Sequence, residues 1–339
     1  MQNDILFLEQ LNKGWCTLQQ MKQLEYHYHP RQCVFECGNV KLYRYSAHKK
    51  SKNNVPLLLV YATINRPEIL ELQQSQSLIG GLLEKNIDVY LLDWGYRNNN
   101  EKQFSLSDYI IQHLHPCINY IQKKSTQEKI NLLGVCQGGV ISLCYTNLFQ
   151  ENINRLILIS TPIDFHTKNN KITKLVHQLN TNLFQNINVP GHFITYFFIS
   201  LRLFELSFKK YLNFIDHLDD QEKTLQFLQV EKWLHDAPDQ SGLALSEFIR
   251  DFYQENKLIK NEIMIAGQSI DLKSFRLPIL NIVATDDEIV PASASRALKK
   301  YIDKQYYHER SFPSGHIGIY ISNKVGSRLS KSIVRWLNC

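Results

Sequence analysis

The chain has no apolar run long enough to span a bilayer, and no basic segment leading into an apolar core follows Met1-Gln2-Asn3-Asp4-Ile5. Neither a membrane span nor a signal peptide is therefore expected. Dinucleotide and phosphate-loop glycine fingerprints are missing, as is any recognisable nucleic-acid module. No resident cofactor and no nucleic-acid partner are expected. Internal repeats and low-complexity segments are also lacking. Cysteine is sparse, 7 in 339 residues, an odd number at irregular positions. That pattern argues against a disulfide framework and for a reducing compartment, with the cytoplasm as the expectation. Glycine is sparse as well, at 14.

What remains has the balance of an ordinary globular protein, 44% hydrophobic and 21% charged. Its length suits one large α/β domain with an insertion, or two modest domains. The net charge of +6 comes from scattered Lys and Arg. The densest basic runs, His48-Lys49-Lys50-Ser51-Lys52 and Lys123-Lys124, read as solvated surface in preference to a patch for a phosphorylated ligand.

Hydrophobic periodicity sets out the organisation. Val40–Tyr45 alternates at period two and reads as an edge strand. The continuous apolar run at 55–61 reads as a strand buried on both faces, and further strands of the parallel type are expected at 87–93, 129–133, 153–160 and 277–284. Helical segments are expected from Pro67, over 107–123, from Ser293 and near 330–336, with a last strand over 306–312. Strands alternating with helices predict a mostly parallel, doubly wound sheet. Between 161 and 274 the rhythm stops, and the sequence turns helical and rich in Phe, Tyr and Leu. The expected division is a segment of unassigned role at 1–39, a core over 40–160 and 275–339, and an inserted helical cap over 161–274. The apolar stretch 192–204 inside the cap reads as core packing in preference to an acyl-chain path or partner face.

With glycine and cysteine so scarce, Gly134-Val135-Cys136-Gln137-Gly138-Gly139 stands out. A G-x-C-x-G pattern is expected by chance on the order of 0.01 times in such a chain. It lies between an apolar strand and a helix start, where a nucleophile elbow needs residues without bulk. With serine in place of cysteine, this turn marks the α/β-hydrolase fold, whose helix start aims backbone N–H groups at the attacked carbonyl. A cysteine there points to acyl chemistry through a thioester. The bland reading is a buried structural thiol beside a glycine-rich loop.

A cysteine nucleophile needs a base and a group that orients the base, in the chain order nucleophile, acid, histidine. Asp286-Asp287 follow the strand ending at Ala284, and His316 follows a glycine in the turn after the last strand.

Taken together these residues resemble the polyhydroxyalkanoate synthases, most closely the short type that works with a second subunit. The resemblance runs from about Val40 to the end of the chain. It rests on the cysteine elbow, Asp93-Trp94-Gly95, Asn65-Arg66-Pro67, Glu231-Lys232-Trp233 with Asp236 and Pro238-Asp239-Gln240, Asp287-Glu288-Ile289-Val290-Pro291, and Ser314-Gly315-His316-Ile317. It implies Cys136 as nucleophile, His316 as general base and Asp287 as triad acid, with the backbone N–H groups of Ile64 and Gln137 as the oxyanion hole. It also implies a short-chain (R)-3-hydroxyacyl-CoA substrate, a growing polyester chain, and release of coenzyme A, which is substrate and product rather than cofactor. A second synthase subunit or a homodimer, and a cytoplasmic site at polyester granules, belong to the same expectation. The family commonly places His after the acid where this chain has Glu288, whose charge is expected to raise the His316 pKa.

Alternative readings are a cysteine hydrolase of the same fold, thioesterase or dienelactone-hydrolase-like, and a catalytically silent protein that binds a granule or partner. His27, His29, Cys33 and Cys37 offer zinc-type ligands, but Pro30 intervenes and the spacing is not that of a standard closed site, so no metal is expected.

Overall fold

The computed structural model describes residues 28–45, 55–97, 103–201, 214 and 220–339. His27, the basic run at 48–52 and residues 202–204 of the apolar stretch lie outside the described residues.

Eight strands form one sheet. They are β1 (Arg31–Cys37), β2 (Val40–Tyr45), β3 (Leu57–Val60), β4 (Val89–Asp93), β5 (Ile130–Val135), β6 (Ile153–Ile159), β7 (Ile279–Ala284) and β8 (Tyr307–Phe312). Their spatial order is β1-β2-β4-β3-β5-β6-β7-β8, antiparallel at β1–β2 and β2–β4 and parallel elsewhere. The run read as buried on both faces is so in β3, and every residue of β4, β5 and β7 is buried too, whereas β6 leaves Asn154 and Arg155 half-buried.

The alternation within each strand splits the core in two. Leu58, Val60, Leu132, Leu156 and Leu158 face one apolar cluster, and Leu57, Leu59, Leu133, Ile157 and Ile159 face the other. The helical run 106–125 and helix α1 (Gln137–Leu148) cover the first face. Leu78–Leu83 and the last helix, Asn323–Leu337, cover the second. Each fully buried Leu or Ile contributes roughly 1.5–3 kcal/mol, so the two-sided burial is what holds the central strands.

Three expectations change. Val40–Tyr45 is not the edge of the sheet, because Arg31–Cys37 pairs with it through a turn at Gly38, which adopts a positive φ of 61°. The outer strand carries Gln32 and Glu36 and is exposed along much of its length, so no apolar run announced it. The hairpin therefore extends the sheet into the segment set apart as 1–39. Secondly, the helix expected from Pro67 is a single turn, Pro67–Leu70. The chain leaves it at Glu71, whose buried carboxylate is drawn to the backbone N–H of His29 at 2.7 Å and to His29 Nδ1 at 2.6 Å.

Thirdly, the insertion is not one block. Ile172, Val176 and Ile249 form a separate small cluster with Phe197, Phe198, Leu201 and Leu245. Phe248, Phe252, Leu258, Ile263, Ile270 and Leu272 already pack into the main core. The cap proper therefore comes from α2 (Lys171–Val176), α3 (Gly191–Ser200) and α4 (Gln221–His235). Among the described residues, no helix is long and apolar enough to cross a membrane.

Candidate active site

Cys136 sits where β5 turns into α1, with φ 53° and ψ −121°. A non-glycine residue held there costs about 1–3 kcal/mol, and such strain persists only where neighbours over-determine it. Here they do. The Cys136 N–H donates to the Ile159 carbonyl at 2.9 Å, and the Cys136 carbonyl accepts from Gly139 at 3.0 Å. A Cβ on Gly138 would overlap the carbonyl oxygens of Val60 and Tyr61, and one on Gly134 would overlap Gly139. The helix can approach the sheet this closely only because these positions are glycine. The thiol stands at the N-terminus of a 12-residue helix, whose unpaired N–H groups favour negative charge.

His316 and Asp287 are brought to it by the loops after β8 and β7. His316 Nδ1 lies 2.7 Å from Asp287 Oδ2. Asp287 Oδ1 accepts the N–H groups of Ile289 at 2.9 Å and Val290 at 2.8 Å. Asp286, the neighbouring candidate, is exposed and accepts the Thr285 hydroxyl instead. The distinction between these two carboxylates is thus geometric.

Burial alone would push the His316 pKa down. The Asp287 carboxylate first, and then the neighbouring Cys136 side chain, outweigh this and hold it well above the ordinary histidine value. Glu288, expected to add to that effect, turns outward to Lys171 Nζ at 2.9 Å, and both side chains are about half exposed. Burial, with a smaller push from the Cys136 charge, also raises the phenols of Tyr61 and Tyr253, so both stay neutral. By contrast, burial pushes the Cys117 and Cys144 thiols up to about 12, and these remain inert.

Cys136 and His316 open into a cavity of about 960 Å³. Tyr61, Ile64 and Gln137 line it on the core side, and Val176, Phe193, Phe197, Phe227 and Trp233 on the cap side. It is overwhelmingly apolar.

Residues 55–322 match the alpha/beta hydrolase fold family. The chain is 39% identical over 336 residues to the poly(3-hydroxyalkanoate) polymerase subunit PhaC of Allochromatium vinosum, covering 98% of this chain and 95% of the relative. The PhaC subunit of Synechocystis is 38% identical over 343 residues, 98% of this chain and 91% of the relative. The chain belongs to the poly(3-hydroxyalkanoate) polymerase PhaC family. Among solved structures, the Bacillus megaterium epoxide hydrolase superposes with a TM-score of 0.54 at 15% identity, covering 91% of this chain and all of that one. At that distance the likeness speaks for the fold alone.

Three of the motifs that carried the family resemblance, Asp93-Trp94-Gly95, Asn65-Arg66-Pro67 and the cap signature at Trp233, converge on one loop, 61–66. Trp94 Nε1 of the D-W-G turn donates to the Tyr61 carbonyl at 2.9 Å. Asp93 takes Arg66 in a two-pronged ion pair, Nη1 to Oδ1 at 2.7 Å and Nη2 to Oδ2 at 2.9 Å. Trp233 Nε1, from the cap, donates to the Arg66 carbonyl at 2.7 Å. Sequence reading placed these residues in motifs without seeing that they share this task. Thr63 was not singled out at all, yet it sits at the centre of the loop; a threonine between motif residues carries no signal of its own.

Among the described residues, no group of three or more His, Cys, Asp or Glu is placed to hold a metal ion. His29 is bound to Glu71, Cys33 Sγ donates to Glu36 and the Cys37 thiol to the Gln112 carbonyl.

Proposed function

We propose that this PhaC family member polymerises short-chain (R)-3-hydroxyacyl-CoA, with Cys136 as nucleophile, His316 as general acid and base, and Asp287 as the group that orients and charges the imidazole. The observation that carries this reading is a thiol on a strained elbow, coupled to a His316–Asp287 pair, at the end of a large apolar cavity.

The elevated His316 pKa favours an imidazolium beside a thiolate. The thiolate sulfur attacks the acyl-CoA carbonyl, and the N–H groups of Ile64 and Gln137 receive the oxyanion. The carbon–sulfur bond to coenzyme A breaks, and His316 gives its proton to the leaving thiolate. The exchange is thioester for thioester, so the acyl group stays activated. His316 then takes the proton of a 3-hydroxyl group, whose oxygen attacks the enzyme thioester and expels Cys136 as thiolate. The product is an oxoester, and that step runs downhill. A serine in place of Cys136 would trap the acyl group as an oxoester at the first step.

The cavity is at the upper end of small-molecule sites, which span roughly 300–1,000 Å³. That suits an acyl group together with a segment of chain, and its apolar walls keep out the water that would hydrolyse the thioester. A second subunit and a granule surface belong to the same reading. Exposed Leu175, Leu183, Ile187, Phe193 and Tyr196 on and around the cap supply an apolar face for either.

The test is coenzyme A release from (R)-3-hydroxybutyryl-CoA by wild type and Cys136→Ala, with and without a candidate second subunit, with the product analysed. Cys136-dependent release with polyester formed is the expected outcome. Free 3-hydroxybutyrate would make the protein a thioesterase, and no release under either condition would make it a silent binding homologue.

A further inference from the structure

The loop that carries the Ile64 N–H is held by a cap side chain through a short buried relay. Gln240 Nε2 donates to the Thr63 carbonyl at 2.9 Å and to the Pro238 carbonyl at 2.8 Å. The Thr63 hydroxyl lies 3.0 Å from Gln240 Oε1 and 2.9 Å from Gln137 Oε1. The Thr63 N–H also donates to Gln137 Oε1, at 3.0 Å. Thr63, Gln137 and Gln240 are all buried, with exposures of 7%, 9% and 4%. A buried amide left without partners is costly, so each member of this relay constrains the others. The hydroxyl has one proton between two amide oxygens. The Gln240 amide N–H therefore holds the loop more firmly than the hydroxyl does.

The relay joins three parts of the chain. Gln240 follows the cap helix α4, Thr63 is in the loop after β3, and Gln137 is the residue after the nucleophile. Thr63 precedes Ile64, and the Gln137 side chain springs from the residue whose own N–H starts helix α1. We infer that Gln240 is a positioning residue: seated against Thr63, it sets the distance between the Ile64 and Gln137 N–H groups, so that the cap assembles the oxyanion hole as well as covering the cavity. This rests on the reading of Ile64 and Gln137 as the oxyanion donors. Trp233, bonded to the far end of the same loop, acts in the same sense from the same side.

Alkylation of Cys136 by iodoacetamide needs the thiolate but no oxyanion hole, whereas acylation needs both. Butyraldehyde adds to a thiolate as a tetrahedral hemithioacetal and so reports the hole without turnover. In Gln240→Leu, first-turnover coenzyme A release from (R)-3-hydroxybutyryl-CoA falls about 10²–10³-fold, the range for loss of one such donor. Its KM stays within a few-fold, butyraldehyde inhibition weakens in parallel, and the rate and pH profile of alkylation do not change. Thr63→Val lowers release less, Thr63→Ser restores it, and Gln240→Leu with Thr63→Val is no worse than Gln240→Leu alone, because both cut the same connection. Wild-type protein inhibited by butyraldehyde, with Gln240→Leu inhibited equally well, overturns the role of Gln240 alone. Acylation and alkylation lost together in both Gln240→Leu and Thr63→Val also overturn it, since the damage is then general. Wild type that ignores the aldehyde while alkylating normally overturns the oxyanion reading itself, and the inference with it.

Discussion

His316 Nδ1 lies 2.7 Å from Asp287 Oδ2, while the other oxygen of that carboxylate is fixed by two backbone N–H groups. The carboxylate thus has little freedom, and its charge is directed at the imidazole. Asp287→Asn keeps the shape and removes the charge. The His316 pKa then drops, the imidazolium–thiolate pair loses its main support, and the alkaline limb of the pH–rate profile moves to lower pH. Turnover falls by about 10³–10⁴-fold, as when a triad acid loses its charge. The measurement is kcat/KM against pH for the two proteins. An alkaline limb that stays in place would show that Asp287 does not govern His316.

Glu288 adjoins Asp287 in sequence but not in electrostatic effect. Its carboxylate is paired with Lys171 at the cavity rim, where both groups are about half exposed and screened by solvent. Such pairs contribute about 0–1 kcal/mol. Glu288→Gln should therefore leave the alkaline limb unmoved and change urea-unfolding stability by less than about 1 kcal/mol. An acidward shift comparable to that of Asp287→Asn would restore the charge effect expected from sequence.

The central sheet was legible because strands buried on both faces are dominated by apolar residues: Leu57–Val60 is wholly apolar, and Ile279–Ala284 is broken only by Asn281, whose side-chain amide donates to the Ser295 carbonyl. The elbow was legible because close approaches there, by the Val60 and Tyr61 carbonyls, the Thr161 side chain and the turn's own backbone, leave no room for side chains, which forces glycine around Cys136. The outer strand Arg31–Cys37 was not, since an exposed edge tolerates Gln and Glu and loses its apolar signature. Nor was the return of the insertion to the core near Phe248, because a buried helix and a cap helix look alike in periodicity. At the site, the charged and ring residues announced themselves by type. The relay through Thr63 did not, because its role is set by contact across 177 positions to Gln240, and sequence order holds no trace of that.

Arg66 is buried with both of its carboxylate partners, Asp93 and Glu68. Removing one member of a buried pair leaves the other charge uncompensated, at about 3–5 kcal/mol. Arg66→Met should lower unfolding stability by that amount. Arg66→Lys should recover part of it but not all, because one ammonium cannot reproduce the paired bonds to Asp93 Oδ1 and Oδ2. Urea denaturation at pH 7 orders the three proteins, and Arg66→Lys equal to wild type would remove the two-pronged geometry from the account.

The raised His316 pKa also makes stability depend on pH. A histidine whose folded pKa lies above its unfolded value binds its proton more tightly when folded, so unfolding releases protons in that window. The stabilisation is fully present below the unfolded value of about 6.5 and is lost as pH rises through the elevated folded value. To isolate the Asp287 contribution, Cys136→Ala is compared with Cys136→Ala/His316→Gln, in which position 316 cannot titrate. The stability difference between them should be greatest near pH 6 and shrink steadily toward pH 9. A difference constant over that range would mean that His316 is not held charged by Asp287, and that the imidazolium–thiolate pair has no support from the fold.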